Sequence, residues 1–203
     1  MSMKIIDLSR KISGRIERSF VPLRVKGKGY RGVIYQIGFS SMAGSYIDFP
    51  GHIAEFDNGL DAASYPPEKL FLVETTVIRL NRKGLPREIK VAELEKFGPV
   101  STPGLLVDTG WKKDVYHPEV YFYGEEAIAW IVSQKIRLFL SDVYENHARP
   151  RGVFVELFRA GISTVCLPDN LDKITRPRVK ICVFPLPVAG LTQAPCRVLA
   201  VED

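Results

Sequence analysis

Three histidines (His52, His117, His147) and three cysteines (Cys166, Cys182, Cys196) are the only imidazoles and thiols in the 203-residue sequence, and they bound the chemistry it can do. An imidazole can carry a proton near neutral pH, a thiolate can attack a carbonyl, and both can ligate zinc. The spacing gives no compact motif of either kind. There is no CxxC pair, and the cysteines sit in apolar settings (Thr-Val-Cys-Leu, Ile-Cys-Val-Phe, Pro-Cys-Arg-Val). That pattern reads as three reduced core cysteines of a cytosolic protein. His117, beside Pro118 in a polar stretch, reads as a structural or surface residue. Asp48 precedes Phe49-Pro50, where a carboxylate satisfies backbone N–H groups of the turn that ends a strand. His52 can hydrogen-bond within that same turn. His147, in Glu145-Asn146-His147-Ala148-Arg149, reads as a loop histidine facing solvent or a partner subunit.

The elements that must position these residues are mostly strands. Segments 33–39, 72–80, 104–107, 136–140, 162–167, 179–184 and 196–201 are rich in Val, Ile, Leu and Phe, and turn residues bound most of them. In Val33-Ile34-Tyr35-Gln36-Ile37-Gly38-Phe39 the apolar side chains at odd positions predict a strand with one buried face. Helices are expected at 125–135, where Ile128, Ile131 and Val132 share a face and Glu125 and Glu126 open the first turn. A second is expected at 152–160, closed by Gly161, and a shorter one at 91–97. Long loops are expected at 10–31, 52–68 and 111–123, and loops of that length tend to line a site or an interface. The reading is one mixed α/β domain over residues 1–203, with more strand than helix.

Composition excludes several classes. A 46% hydrophobic and 25% charged chain is ordinary for a globular protein. No stretch has the eighteen or so apolar residues that a membrane helix needs, and Met1-Ser2-Met3-Lys4-Ile5-Ile6-Asp7 lacks the apolar run of a secretory signal. A cytoplasmic location without membrane partners is the expectation. The net charge of +5 and pI near 9.1 invite a nucleic-acid reading. Residues 10–31 hold eight Lys or Arg against the single acid Glu17. No zinc-finger spacing or RNA-recognition motif supports that reading, so the run is expected to be a solvated loop and nucleic acid is not the expected partner.

One segment carries a family resemblance. Met42-Ala43-Gly44-Ser45-Tyr46-Ile47-Asp48-Phe49-Pro50-Gly51-His52 resembles the signature His-x-Gly-Thr-His-x-Asp-x-Pro-x-His of the cyclase family of metal-dependent hydrolases, which includes kynurenine formamidase and isatin hydrolase. Gly44, Asp48, Pro50 and His52 fall in register. Ile6-Asp7-Leu8-Ser9, Val107-Asp108-Thr109-Gly110-Trp111, Asp142, Arg159 to Ile162 and Asp169-Asn170-Leu171 resemble further family segments in order, so the likeness spans about residues 4 to 202. It implies a single α/β domain with a mixed β-sheet or barrel-like sheet and flanking helices, and hydrolysis of an amide, lactam or lactone, in which divalent metal ions polarise the carbonyl and acidify a water. It also implies a metal-ligand role for Asp48 and a proton-handling role for His52.

The departures are as informative. Met42 and Tyr46 stand where that signature has its other two histidines, Phe154 aligns with a later ligand histidine, and Cys166 with a later ligand glutamate. Of the five ligand positions only Asp48 remains, and one carboxylate does not hold a dication against water. Met42, Tyr46 and Phe154 are expected to pack into the former metal cavity with Cys166, and His147 is placed nearby. Two functions stay open. One is a homologue without metal or other cofactor that binds a small molecule or a partner. The other is a hydrolase, using either zinc or manganese at a site rebuilt from Asp48, His52, His147 and Cys166, or metal-free chemistry around Asp48, His52, Tyr46 and Cys166. The family resemblance, with the apolar Phe20, Val21 and Leu23 in the segment 10–31, also implies a homo-oligomer.

Overall fold

A computed structural model describes residues 3–80, 82, 86–112, 117–144 and 152–203. Its centre is built by four parallel strands, of which 104–108 and 138–141 are apolar at nearly every position. β5 (Val73–Arg79), β7 (Gly104–Asp108), β9 (Leu138–Ser141) and β10 (Ser163–Cys166) lie parallel in that order, and the last three are buried along their whole length. Continuous Val/Leu/Ile runs are what a parallel sheet covered on both faces requires. Antiparallel strands continue it: β11 (Arg178–Pro185) adds beside β5, β12 (Gln193–Glu202) beside β11, and β1 (Lys4–Asp7) beside β12.

The short strand β4 (Tyr46–Asp48) closes the sheet. It pairs on one edge with β10, setting Asp48 opposite Thr164, and on the other with β12, setting Asp48 opposite Gln193. Seven strands thus form a barrel-like ring, with β1 attached to β12. Ile47, Val165, Leu140 and Val198 fill the interior. A second apolar layer, with Leu105, Val107, Phe139, Leu157 and Phe158, lies outside the ring. It is covered by α1 (Val91–Glu95), α2 (Glu125–Ser133) and α3 (Val153–Arg159). A small parallel pair, β6 (Glu88–Ile89) and β8 (Phe122–Tyr123), completes the set. Among the described residues no helix is long and apolar enough to cross a membrane.

Three expectations change. Residues 10–31 are not a loop: β2 (Arg15–Val25) and β3 (Lys28–Gly38) form an eleven-pair antiparallel ribbon joined at Lys26-Gly27. Both turn residues have positive φ, 49° and 76°, as the two-residue turn matching the twist of a hairpin demands. The dense charge hides the strand because Arg and Lys alternate with Ile16, Phe20 and Leu23 rather than interrupting them. Segment 33–39 is a strand, but it has no buried face in this chain, since Val33, Ile34, Tyr35, Ile37 and Phe39 are all exposed. The segment 111–123, expected as a loop, ends in β8.

Candidate functional site

The signature segment is held by small, local requirements. Gly44 has φ +70°, and a Cβ there would meet the Arg10 carbonyl oxygen at 2.7 Å, so only glycine fits. Ser45 Oγ donates to the Leu167 carbonyl at 2.7 Å and accepts from the Arg10 N–H at 2.8 Å, tying β4 to its neighbours. Pro50 opens a 3₁₀ turn, Pro50–His52, where a missing N–H costs nothing. In that turn the His52 N–H donates to the Phe49 carbonyl.

Strand alternation sends Ile47 and Val165 into the ring interior and turns Tyr46, Asp48, Thr164 and Cys166 outward, beneath α3. Asp48 is 1% exposed, and both its oxygens are engaged. The Gln193 side-chain amide donates to Oδ1 at 2.6 Å, and the Cys166 thiol donates to Oδ2 at 3.6 Å. Ser41 Oγ donates to Gln193 Oε1 at 2.7 Å, which fixes the amide with its nitrogen toward Asp48. Tyr46 lies across the strand pair from Cys166, and its ring centroid is 6.4 Å from that of Tyr144. The hydrogen-bonded chain therefore runs Cys166, Asp48, Gln193, Ser41. His52 stands at its edge, exposed, with Nε2 3.5 Å from Gln193 Nε2.

Aromatic rings seal the outer side. Tyr46 meets Tyr144 edge-on, Tyr144 meets Phe154, Phe154 stacks on Phe158 at 5.3 Å, and Phe158 meets the His52 ring edge-on. The enclosure sets the electrostatics. Burial pushes the Asp48 carboxyl up from its ordinary range, with His52, Gln193 and Cys166 opposing. Burial, and then the neighbouring Asp48, push the Cys166 thiol well up. Burial likewise raises Tyr46. A thiol so held, donating its proton and fully buried, is a poor nucleophile at neutral pH. Thr164 Oγ1, across the strand from Asp48, is buried without a hydrogen-bond partner among the described residues, a place that an internal water suits.

Of the residues singled out from sequence, Asp48, Tyr46, Cys166 and Phe154 come together with His52 at the rim. Met42 does not join them. It is 43% exposed, and its backbone N–H donates to Ser40 Oγ, because the chain turns outward before β4 begins. His147 lies outside the described residues. Sequence reasoning missed Gln193, Ser41 and Tyr144. A glutamine among Leu191-Thr192-Gln193-Ala194 was a polar interruption in an apolar strand, the one signal available.

This donor set does not fit a divalent metal. The amide hydrogens of Gln193 and the thiol hydrogen of Cys166 point at the carboxylate oxygens a cation would need. No group of three or more His, Cys, Asp or Glu side chains converges among the described residues, whereas a hydrolytic zinc takes three protein ligands and an open position.

The profile of the Cyclase family matches residues 6–146. The fold is similar to that of isatin hydrolase A from Labrenzia aggregata (TM-score 0.76, 19% identity, covering 98% of this chain and 93% of that one). It is equally similar to a Bacillus stearothermophilus protein described as a predicted metal-dependent hydrolase (TM-score 0.76, 19% identity, all of both chains). Isatin hydrolase A from Ralstonia solanacearum gives a TM-score of 0.73 at 16% identity, over 99% of this chain and 92% of that one. No curated protein matches the sequence.

Proposed function

This chain belongs to the cyclase family, and from that premise we propose that its ancestral metal-dependent hydrolytic centre has become a closed, hydrogen-bonded core. On this reading the protein is a cytoplasmic binding homologue, which engages a small molecule or a protein partner without hydrolysing it. The observation that carries the proposal is the state of Asp48: 1% exposed, with one oxygen held by Gln193 and the other by Cys166. A carboxylate saturated by donors and sealed under Phe154 and Phe158 has no face left for a metal or a scissile carbonyl. Without a metal, a water's pKa stays near about 15.7, and His52 alone would face almost the whole barrier.

A second reading, hydrolysis of an amide, lactam or lactone, draws on one feature. His52 is exposed beside the network and the unpartnered Thr164 hydroxyl lies behind it, so a base at the mouth has a polar interior to work against. One experiment separates the two. The purified protein is equilibrated with zinc and with manganese, dialysed, and assayed for bound metal and for hydrolysis of N-formylkynurenine and isatin. The binding reading expects no stoichiometric metal and no turnover above buffer. One metal per chain, lost in Asp48→Ala, with turnover lost alongside, establishes the hydrolase instead.

A further inference from the structure

At the end of the ring where β1 and β11 finish and β12 begins, the surface opens into a groove that shares no residue with the hydrogen-bonded chain of Asp48. Its volume is about 560 Å³, within the roughly 300–1,000 Å³ of sites that hold small molecules. Ile12, Phe39, Phe184 and Leu186 line it, each between 37% and 47% exposed. Apolar side chains gathered in a concavity gain free energy when an apolar body displaces the water over them.

Charge is distributed unevenly along that groove. Asp7 is the one acid among its lining residues, and it is already engaged. Arg197 Nε donates to Asp7 Oδ1 at 3.1 Å and Nη2 to Oδ2 at 2.6 Å, and the Ser9 N–H also donates to Oδ1. That pair adds no net charge. Arg10 and Lys11 are exposed, and among the described residues neither has a carboxylate within ion-pair distance. Two uncompensated cations therefore stand beside an apolar wall.

Both flanks of the groove are fixed from behind. The Arg10 N–H donates to Ser45 Oγ at 2.8 Å, and its carbonyl oxygen closes on Gly44, so the backbone from which the two cations leave is held on the lead-in to β4. The Leu186 N–H donates to the Pro195 carbonyl at 3.0 Å, and the Cys196 N–H donates to the Ser45 carbonyl at 2.9 Å. Walls set before a ligand arrives spare it the cost of ordering them.

We propose that this groove binds a small organic monocarboxylate, its head on Arg10 and Lys11 and its apolar body against Ile12, Phe39, Phe184 and Leu186. The head supplies the charge that the two cations lack, and a guanidinium meets a carboxylate with two parallel N–H donors. Charge excludes an organic cation, and a neutral hydrocarbon leaves both Arg10 and Lys11 unused. Acyl chains and aryl rings share the required chemistry. The assignment rests on the groove alone and holds whether or not the Asp48 centre hydrolyses anything.

Isothermal titration calorimetry of the full chain with octanoate and with cinnamate, at low ionic strength, tests it. At least one of the two binds at one per chain, and the tighter one identifies the body as acyl or aryl. The matching neutral amide, octanamide or cinnamamide, binds at least about tenfold more weakly, the scale of a hydrogen bond to a charged group. Arg10→Gln and Lys11→Gln each weaken the acid by about tenfold and leave the amide unchanged, and Arg10→Lys falls between wild type and Arg10→Gln. Leu186→Asn weakens acid and amide alike. These side chains are exposed, so melting temperatures stay at the wild-type value, and the comparison of acid with amide needs no variant at all. Absence of heat from both carboxylates at millimolar concentration overturns the proposal, including where a second copy of the chain fills the groove. So does equal affinity for acid and amide, or binding that survives both Gln substitutions and Leu186→Asn.

Discussion

Around Asp48 this fold buries polar groups and supplies most of them with partners; along residues 15–38 it does the reverse, leaving apolar side chains in water. The first region is complete within one chain. Asp48, Gln193, Cys166 and Ser41 are hydrogen-bonded to one another under an aromatic lid, with the Thr164 hydroxyl left without a partner among the described residues. The second region is incomplete, because a ribbon with an apolar stripe gains free energy only when something covers it. The contrast teaches where to look for activity. Exposed apolar surface in this chain is concentrated in the ribbon, at the periphery of the ring, and not around Asp48.

The comparison breaks most easily at the lid. Phe158 is 1% exposed and bridges Phe154 to His52. Phe158→Ala should cost about 3–5 kcal/mol in a denaturant titration; a loss below about 1 kcal/mol would mean that the lid is loose and the centre accessible. Next comes the carboxylate. Asp48→Ala strands the Gln193 amide and the Cys166 thiol, with an expected cost of about 1–3 kcal/mol for the buried groups left unpaired, and Asp48→Asn should recover part of it. A residue kept for catalysis behaves oppositely, and its removal commonly stabilises. A higher melting temperature for Asp48→Ala, accompanied by lost activity, would therefore transfer the region from structure to chemistry.

A buried acid elsewhere sharpens the contrast through pH. Burial works to raise the Glu202 carboxyl, but donors from Thr175, Lys4 and Arg176 outweigh it and hold it at about 2, against an ordinary 4.5. A depressed acid stabilises the fold above its unfolded pKa, and that contribution is lost as pH falls through its folded one. Wild type should therefore lose stability relative to Glu202→Gln between pH 4.5 and about 2, read by melting at constant ionic strength. Equal slopes for the two proteins would show that the seam around Glu202 opens before it titrates. The smallest effect belongs to the ribbon tip. Val25 is 56% exposed and lies on the face opposite the Phe20 stripe, so Val25→Ser should shift chain stability by no more than about 0.5 kcal/mol. A larger loss would reveal packing on that face.

The parallel strands were legible because burial on both faces leaves an unbroken apolar run, as in Leu105-Leu106-Val107. Asp48 and His52 were legible because their motif is contiguous, and Tyr46, Phe154 and Cys166 because each could be set against a family position. Gln193 was not. It acts 145 residues from Asp48 in sequence, through a β4–β12 register that no local pattern encodes. Met42 was misplaced because a family position carries no information about where the backbone turns when a different residue type stands there. The ribbon was hidden twice, by charges that resemble a solvated loop and by a Lys26-Gly27 turn in place of the Asn-Gly that advertises a hairpin.

The seam at β12 has a consequence for how the protein is made. That one strand pairs with β1 on residues 4–7, with β4 on 46–48 and with β11. Until residues 193–202 leave the ribosome, the ring cannot shut, β4 has one edge unpaired, and Asp48 waits without Gln193. Contacts spanning nearly the whole chain slow folding, and an open edge of β structure invites wrong pairings meanwhile. The nascent protein should therefore depend on chaperone protection until residues 193–202 have emerged, and a stall just before residue 193 should leave the preceding residues protease-sensitive.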